Sequence, residues 1–348
     1  MCRANGLTPC KFPEKPQLQP AARVGYGRHM TKPLALTMGE PAGIGPEITR
    51  AAYDRLRDEG VSFFVVGDPA LYPGCVEIAA PEEAAALFKK ALPVLPLTLK
   101  TENTIGSLNA KNSPAVIDSI EQAVALAQEN RIGGVVTNPI HKAILQQAGF
   151  AHPGHTEFIA HLCGGVTPVM MLAAKDLRVV PLTVHIALKN VPGAITQDMI
   201  IEKARITHAA LKKDFGLKNP RLALAGLNPH AGEGGAFGRE DLDIMVPAVA
   251  FLRQEGIDIA GPHSADTLFH EEARARYDVA LCGYHDQALI PLKTLDFHGG
   301  VNVTLGLPIV RTSPDHGTAL DIAGKGVARA DSLIAAIKMA AEMGARRV

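Results

Sequence analysis

Short apolar runs rich in β-branched residues recur along the chain, well separated from one another: Leu34-Ala35-Leu36-Thr37, Phe63-Phe64-Val65-Val66, Gly134-Val135-Val136-Thr137, residues 179–184, residues 222–225 and Val279-Ala280-Leu281-Cys282. Runs without polar alternation read as strands buried on both faces. Between them, the stretch after Asn112 places Ile117, Ile120, Val124 and Ala127 on one helical face, with Ser113 a candidate N-cap and Pro114 at the first helical position. Strands alternating with helices predict an α/β fold, in which a parallel or mixed sheet is covered by helices through right-handed crossovers. The first thirty residues are rich in Pro, Gly, Gln and basic groups and show no period, so residues 1–30 are expected to be a disordered extension.

Composition adds bounds. At 348 residues, two domains are a better expectation than one. Thirty-five basic and thirty-five acidic residues cancel, which leaves no global field for nucleic acid or an anionic membrane, so any anion site must be local. Five scattered cysteines (Cys2, Cys10, Cys75, Cys163 and Cys282) suit free thiols in a reducing compartment better than a disulfide framework. No apolar stretch is long enough to cross a bilayer, and the expected location is the cytoplasm.

Three of the predicted strands are followed closely by histidine: His185 after 179–184, His230 after 222–225, and His285 after 279–282. Strands of one sheet would bring these imidazoles to a common edge, where open α/β folds bind ligands. Three imidazoles with an open position suit a catalytic divalent ion; the alternative is a set of unrelated loop or core histidines. Gly154-His155-Thr156-Glu157-Phe158 opens a helical pattern, where amides, a hydroxyl and an imidazole can hold phosphate or carboxylate, unless Thr156 is only an N-cap. Lys293, Asn302 and Arg311 offer an ammonium, an amide and a forked guanidinium that suit a phosphate. The turn Gly39-Glu40-Pro41-Ala42-Gly43-Ile44-Gly45-Pro46 after the first strand is neither the Rossmann fingerprint nor a P-loop.

The segment Asp315-His316-Gly317-Thr318-Ala319-Leu320-Asp321-Ile322-Ala323-Gly324-Lys325-Gly326 resembles the adenosine-binding loop of isopropylmalate and isocitrate dehydrogenases. With the motifs at 39–46, 154–158, 227–233, 284–287 and 300–306, the chain from about Thr31 onward resembles the 4-hydroxythreonine-4-phosphate dehydrogenase family, related in fold to those enzymes. The resemblance implies two α/β/α domains with a cleft between them and no Rossmann fold: a cofactor-side domain of 31–150 with 305–348, and a metal and dimerisation domain of 151–304. It implies NAD or NADP, bound in part by His316, Gly317, Thr318 and Asp321. It implies one divalent metal (zinc, magnesium or cobalt) on His185, His230 and His285, and a phosphorylated substrate on His155, Thr156, Lys293, Asn302 and Arg311. The implied assembly is a homodimer with its active site at the subunit interface. The implied reaction oxidises the C3 hydroxyl of 4-phosphooxy-L-threonine and then releases CO2 to leave 3-amino-2-oxopropyl phosphate; Asp286, Lys293 and a metal-held water are the candidate proton acceptors. Two alternatives stand beside it, a dehydrogenase of 4-phosphorylated threonate or erythronate and a non-catalytic metal- or phosphate-binding protein.

Overall fold

Twelve strands form one continuous sheet in a computed structural model that describes residues 32–347. The expected extension of 1–30 lies outside the described residues. In chain order the strands are β1 (Leu34–Thr37), β2 (Phe63–Gly67), β3 (Val76–Glu77), β4 (Pro93–Pro96), β5 (Gly134–Thr137), β6 (Val169–Ala174), β7 (Leu177–Pro181), β8 (Arg221–Ala225), β9 (Asp258–His263), β10 (Val279–Cys282), β11 (Val301–Leu305) and β12 (Arg311–Pro314). Their order across the sheet is β3-β4-β2-β1-β5-β12-β11-β6-β7-β10-β8-β9. One half, β3 to β12, is parallel throughout. β11 and β6 pair antiparallel with their neighbours at the centre, and β7, β10, β8 and β9 form a second parallel set. Strands from residues 34–137 and 311–314 thus fill one half of the sheet, and strands from 169–305 fill the other.

Every residue of β1, β2, β5, β10 and β12 is buried, because helices cover both faces; this is why the runs lack polar alternation. Side chains still alternate with period two. Leu34, Leu36, Phe63, Val65 and Val136 enter one core with the helices Gly45–Leu56 and Asp331–Arg346. Ala35, Phe64, Val66 and Val135 enter the other, with Ser113–Gln128 and His155–Leu162. On Ser113–Gln128, Ile120 and Val124 are buried, and Ile117 and Ala127 pack partly against the same core.

Ser113 is not the N-cap of that helix. It is the first helical residue, and its hydroxyl points at the Ile144 carbonyl at 3.5 Å. Asn112 holds the cap position, while its Oδ1 accepts from the Thr101 amide and hydroxyl at 3.0 and 3.1 Å. A long-range loop contact has taken the polar groups that a local cap would use. Among the described residues, no helix is long and apolar enough to cross a membrane.

Candidate active site

Because β7, β10 and β8 run parallel, their carboxyl ends share one edge, and His185, His285 and His230 all leave from it. Two of the three meet. The rings of His185 and His285 lie 5.9 Å apart between centroids. His285 opens the helix His285–Leu295, and its Nδ1 is 2.6 Å from Asp286 Oδ1, which orients the ring and leaves Nε2 as the nitrogen that could ligate a metal. Burial, then the charges of Lys142 and His285, lower the His185 pKa and keep its imidazole neutral. That donor set fits a divalent ion.

His230 sits elsewhere in the chain. It is exposed, 6.4 Å from the Phe237 ring, and its charge is felt by Asp266. Among the described residues of one chain, no three or more His, Cys, Asp or Glu side chains group closely enough to hold a metal.

The loop carrying His230 is a left-handed turn. His230, Ala231, Gly232, Glu233 and Gly234 have φ of 54°, 51°, 77°, 42° and 67°. Each non-glycine residue there costs about 1–2 kcal/mol, so surrounding bonds must hold the turn. The buried Asp241 does so: its carboxylate accepts from the amides of Leu227 and Asn228 at 2.8 and 3.1 Å and from Asn228 Nδ2 at 3.0 Å. His185 is left-handed as well, at φ 52°. Asp241→Ala strands those donors in a buried setting, so it is expected to lower unfolding free energy by about 2–3 kcal/mol, measured by urea denaturation; a smaller loss than 1 kcal/mol would show the turn stands without it.

A second cluster lies where the two halves of the sheet join. Arg311, the first residue of β12, is 3% exposed and has no carboxylate partner among the described residues. Its two terminal nitrogens donate to Thr304 Oγ1 at 2.8 Å and Thr137 Oγ1 at 2.6 Å, and its Nε is buried without a partner. Burial pushes its pKa down to about 10, against the opposing pull of Glu157. His155 begins the helix His155–Leu162 with Gly154 as N-cap, so Thr156 is the second helical residue and not the cap. The His155 Nε2 is buried without a partner, and burial followed by the charges of Arg311 and Lys142 holds the ring well below its ordinary pKa. Asn302 Oδ1 is likewise buried without a partner, two residues along β11 from Thr304. A buried guanidinium with an unbonded Nε and two further orphaned polar side chains, beside a helix N-terminus, make an arrangement that can take an anion. Lys293 points at Asp315, its Nζ 2.8 Å from Oδ2, and lies over the Phe297 ring at 5.5 Å.

Several residues here were given no role of their own by the sequence reading. Lys142 and Glu157 flank Gly154, where an added Cβ would come within 3.2 Å of Lys142 Nζ and 3.0 Å of Glu157 Oε2. The charge of Lys142 acts on both His155 and His185, and that of Glu157 on both Arg311 and His185, so the pair links the anion pocket to the histidines. The strand-then-polar pattern that flagged the histidines also precedes Lys142, five residues after β5. Thr137, Thr304 and Asp315 stood in the sequence only inside longer runs and motifs, since each acts through a partner on another element.

On the parallel half, a cleft of about 610 Å³ opens beside the turn after β1, lined by Gly43, Glu47, Leu99, Asn103, Ile105 and Gly324 among others. The segment with His316, Gly317, Thr318 and Asp321 adjoins it: Ile44 N donates to the Thr318 carbonyl at 3.0 Å, and a Cβ at Gly43 would sit 2.8 Å from that oxygen. Glu47 accepts from the Gly324 and Ala328 amides at 3.0 and 3.4 Å. His316, Gly317 and Asp321 are exposed, and His316 Nδ1 is 3.1 Å from the Gly317 carbonyl.

A profile of the family described as pyridoxal phosphate biosynthetic protein PdxA matches residues 62–340. The 4-hydroxythreonine-4-phosphate dehydrogenase of Caulobacter vibrioides is 54% identical over 329 residues, covering 91% of this chain and 99% of its own. The enzyme of the same name from Methylorubrum populi is 55% identical over 333 residues, covering 90% and 95%. The crystal structure of 4-hydroxythreonine-4-phosphate dehydrogenase from Klebsiella pneumoniae superposes with a TM-score of 0.81 at 37% identity, over 90% of this chain and 100% of its own.

Proposed function

The chain belongs to the family of the pyridoxal phosphate biosynthetic protein PdxA, and from that membership and the site geometry we infer how it works as a dehydrogenase acting on a CH–OH group. The reaction is oxidation of 4-phosphooxy-L-threonine at C3: hydride passes to a nicotinamide cofactor, a proton leaves the hydroxyl, and the resulting β-keto acid loses CO2 to give 3-amino-2-oxopropyl phosphate. The observation that carries the reading is the buried, carboxylate-free Arg311 beside the orphaned His155 and Asn302, a pocket shaped for a dianion such as the substrate phosphate.

Arg311 grips the phosphate through its free Nε edge while Thr304 and Thr137 hold the guanidinium plane in place. His155, neutral before binding, donates from its ring, and the first amides of its helix add their partial positive charge, with the Thr156 hydroxyl beside them. The Asn302 amide presents its NH₂ edge after a half-turn. Lys293 completes the charge at the pocket rim and Asp315 keeps its ammonium oriented. Anchoring the phosphate at one end converts binding energy into placement of C3 at the other. Lys142, between the clusters, meets the carboxylate that departs as CO2.

At the far end, His185, His285 and His230 would hold one divalent metal of the zinc, magnesium or cobalt type, which would supply Lewis-acid polarisation of the hydroxyl. Within one chain His185 and His285 are together and His230 is apart, so the reading places His230 from a second copy. The homodimer has further support. Ile186 at 44%, Leu188 at 66%, Phe237 at 52% and Ile290 at 64% exposure lie within a few residues of the three histidines in the chain and offer apolar surface that a partner would cover. The domain division at 31–150 with 305–348 and 151–304 is part of the same reading, supported by the way those segments occupy opposite halves of the sheet.

Incubation with 4-phosphooxy-L-threonine and a nicotinamide cofactor is expected to form reduced cofactor, to stop on chelation and to resume with added zinc, cobalt or magnesium. A higher kcat/KM for 4-phospho-erythronate or 4-phospho-threonate would overturn the substrate assignment.

A further inference from the structure

At the edge where the three histidines leave the sheet, β10 is joined to its two neighbours in different ways. Toward β7 the backbone ladder runs on: Leu182 N donates to the Cys282 carbonyl at 2.7 Å, and Thr183 donates to the Gly283 carbonyl from its amide at 3.2 Å and its hydroxyl at 2.8 Å. Toward β8 the paired register ends at Leu281 and Leu224. Continued along both strands, it would set Gly283 opposite Gly226, yet what joins these two peptides is a side chain. The Gly283 amide donates to Gln287 Oε1 at 2.6 Å, and Gln287 Nε2 donates to the Gly226 carbonyl at 2.8 Å.

Gln287 therefore stands in for one peptide unit of the sheet. Its orientation is forced: a backbone amide only donates and a carbonyl only accepts, so the side-chain oxygen faces Gly283 and the NH₂ faces Gly226. Both glycines are buried, so without this amide a peptide N–H and a peptide carbonyl would each lose a partner in a setting where that is costly. The amide also lies between two of the histidine-bearing segments. Gln287 belongs to the first turn of the helix that His285 opens. Gly226 leads into the left-handed turn of His230; its own amide donates to the His263 carbonyl at 2.7 Å, and a Cβ on it would come within 2.9 Å of Ala231. The turn thus packs directly on the residue that Gln287 holds.

Resting on the metal reading above, we propose that Gln287 is a positioning residue, which sets the spacing between the His285 segment and the His230 turn. Both ends of its amide are committed to backbone, so it acts through the segments that carry the imidazoles and not as a ligand. The role calls for glutamine. Asparagine carries the same amide on a side chain one methylene shorter and cannot reach both peptides, glutamate has no donor for the Gly226 carbonyl, and leucine serves neither. In the dimer inferred above, His285 serves one metal site and His230 the other. A single Gln287 side chain then supports ligands of both sites, and its loss loosens both.

The test reads metal affinity and backbone protection. Full-length, metal-free wild type, Gln287→Leu and Gln287→Asn are checked for dimer content and far-UV circular dichroism, then titrated with cobalt(II) alone and followed by its absorption. Both substitutions are neutral, so neither adds a charge beside the metal. Each is expected to weaken cobalt binding by about 10–100-fold, the range typical when a support behind a metal ligand is lost. In the metal-free proteins, hydrogen exchange of the amides at 226–235 is expected to speed up by about 2–10-fold, as the loss of one hydrogen bond dictates, with the helix Ser113–Gln128 unchanged. Should Gln287→Leu fail to fold, Gln287→Asn, the smaller change, carries the test. Unchanged cobalt affinity in a folded variant overturns the proposal even where Tm falls, because Gln287 would then support the fold alone. Weaker cobalt binding with unchanged exchange at 226–235 overturns it too, since the spacing would not be what Gln287 sets. Failure of the wild type itself to bind cobalt takes down the metal reading and this role with it.

Discussion

Arg311→Met is expected to raise KM for the phosphorylated substrate steeply while the cofactor dissociation constant stays within about twofold. The guanidinium is 3% exposed and reaches no carboxylate in the described structure, so on the proposed reading its charge is left for a ligand. Two charge-assisted hydrogen bonds at about 1.5–3 kcal/mol each amount to about 3–6 kcal/mol, or roughly 10²–10⁴-fold in affinity. Lysine in its place is expected to recover little, because one ammonium cannot bond Thr137, Thr304 and the phosphate in a single plane. The substrate-free variant should be no less stable than the wild type. Removing an unpaired buried cation relieves its desolvation, which offsets the loss of the two threonine bonds. Isothermal titration with each ligand and thermal melting of the free protein check both halves. Equal weakening of substrate and cofactor, or a large drop in Tm with unchanged kinetics, would mean that Arg311 serves the core rather than the ligand.

The same residue shows where sequence reading stops. β1, β2, β5, β8 and β10 were legible because strands buried on both faces must be written as unbroken apolar runs. The central pairing was not, since β11 and β6 run antiparallel to their neighbours and β12 returns from the far end of the chain. Arg311 and Asn302 were visible as residue types, yet their burial and their unbonded atoms follow from that central crossover. Local polar signals misled where a distant partner won: Ser113 and Asn112 turned to Ile144 and Thr101. The segment carrying His230 is a left-handed turn pinned by Asp241. No short-range pattern reveals that, because non-glycine residues enter this conformation only when tertiary bonds compel them.

The proposed division of the histidines between two copies makes a prediction that no single-subunit arrangement shares. His230→Ala and His285→Ala homodimers are each expected to be inactive and to have lost metal while keeping their secondary structure. When the two are unfolded together and refolded as an equal mixture, half of the dimers carry one chain of each kind. In such a dimer with two-fold symmetry, the site built on the His230→Ala chain's intact His185 and His285 receives His230 from the other chain and is whole. The second site collects both lesions. Activity and metal content should therefore return to about one quarter of the wild-type value. The control follows from the 5.9 Å contact between the His185 and His285 rings: because those two come from one chain, mixing His185→Ala with His285→Ala leaves every site broken and should restore nothing. Recovery in the control, or none in the first mixture despite demonstrated heterodimers, would place all three imidazoles differently from the geometry argued above. Dilution adds a further check. If the exposed Ile186, Leu188, Phe237 and Ile290 side chains are covered in the dimer, dissociation uncovers apolar surface and opens the metal site at once, so activity and bound metal should fall together with dimer content as protein concentration is lowered.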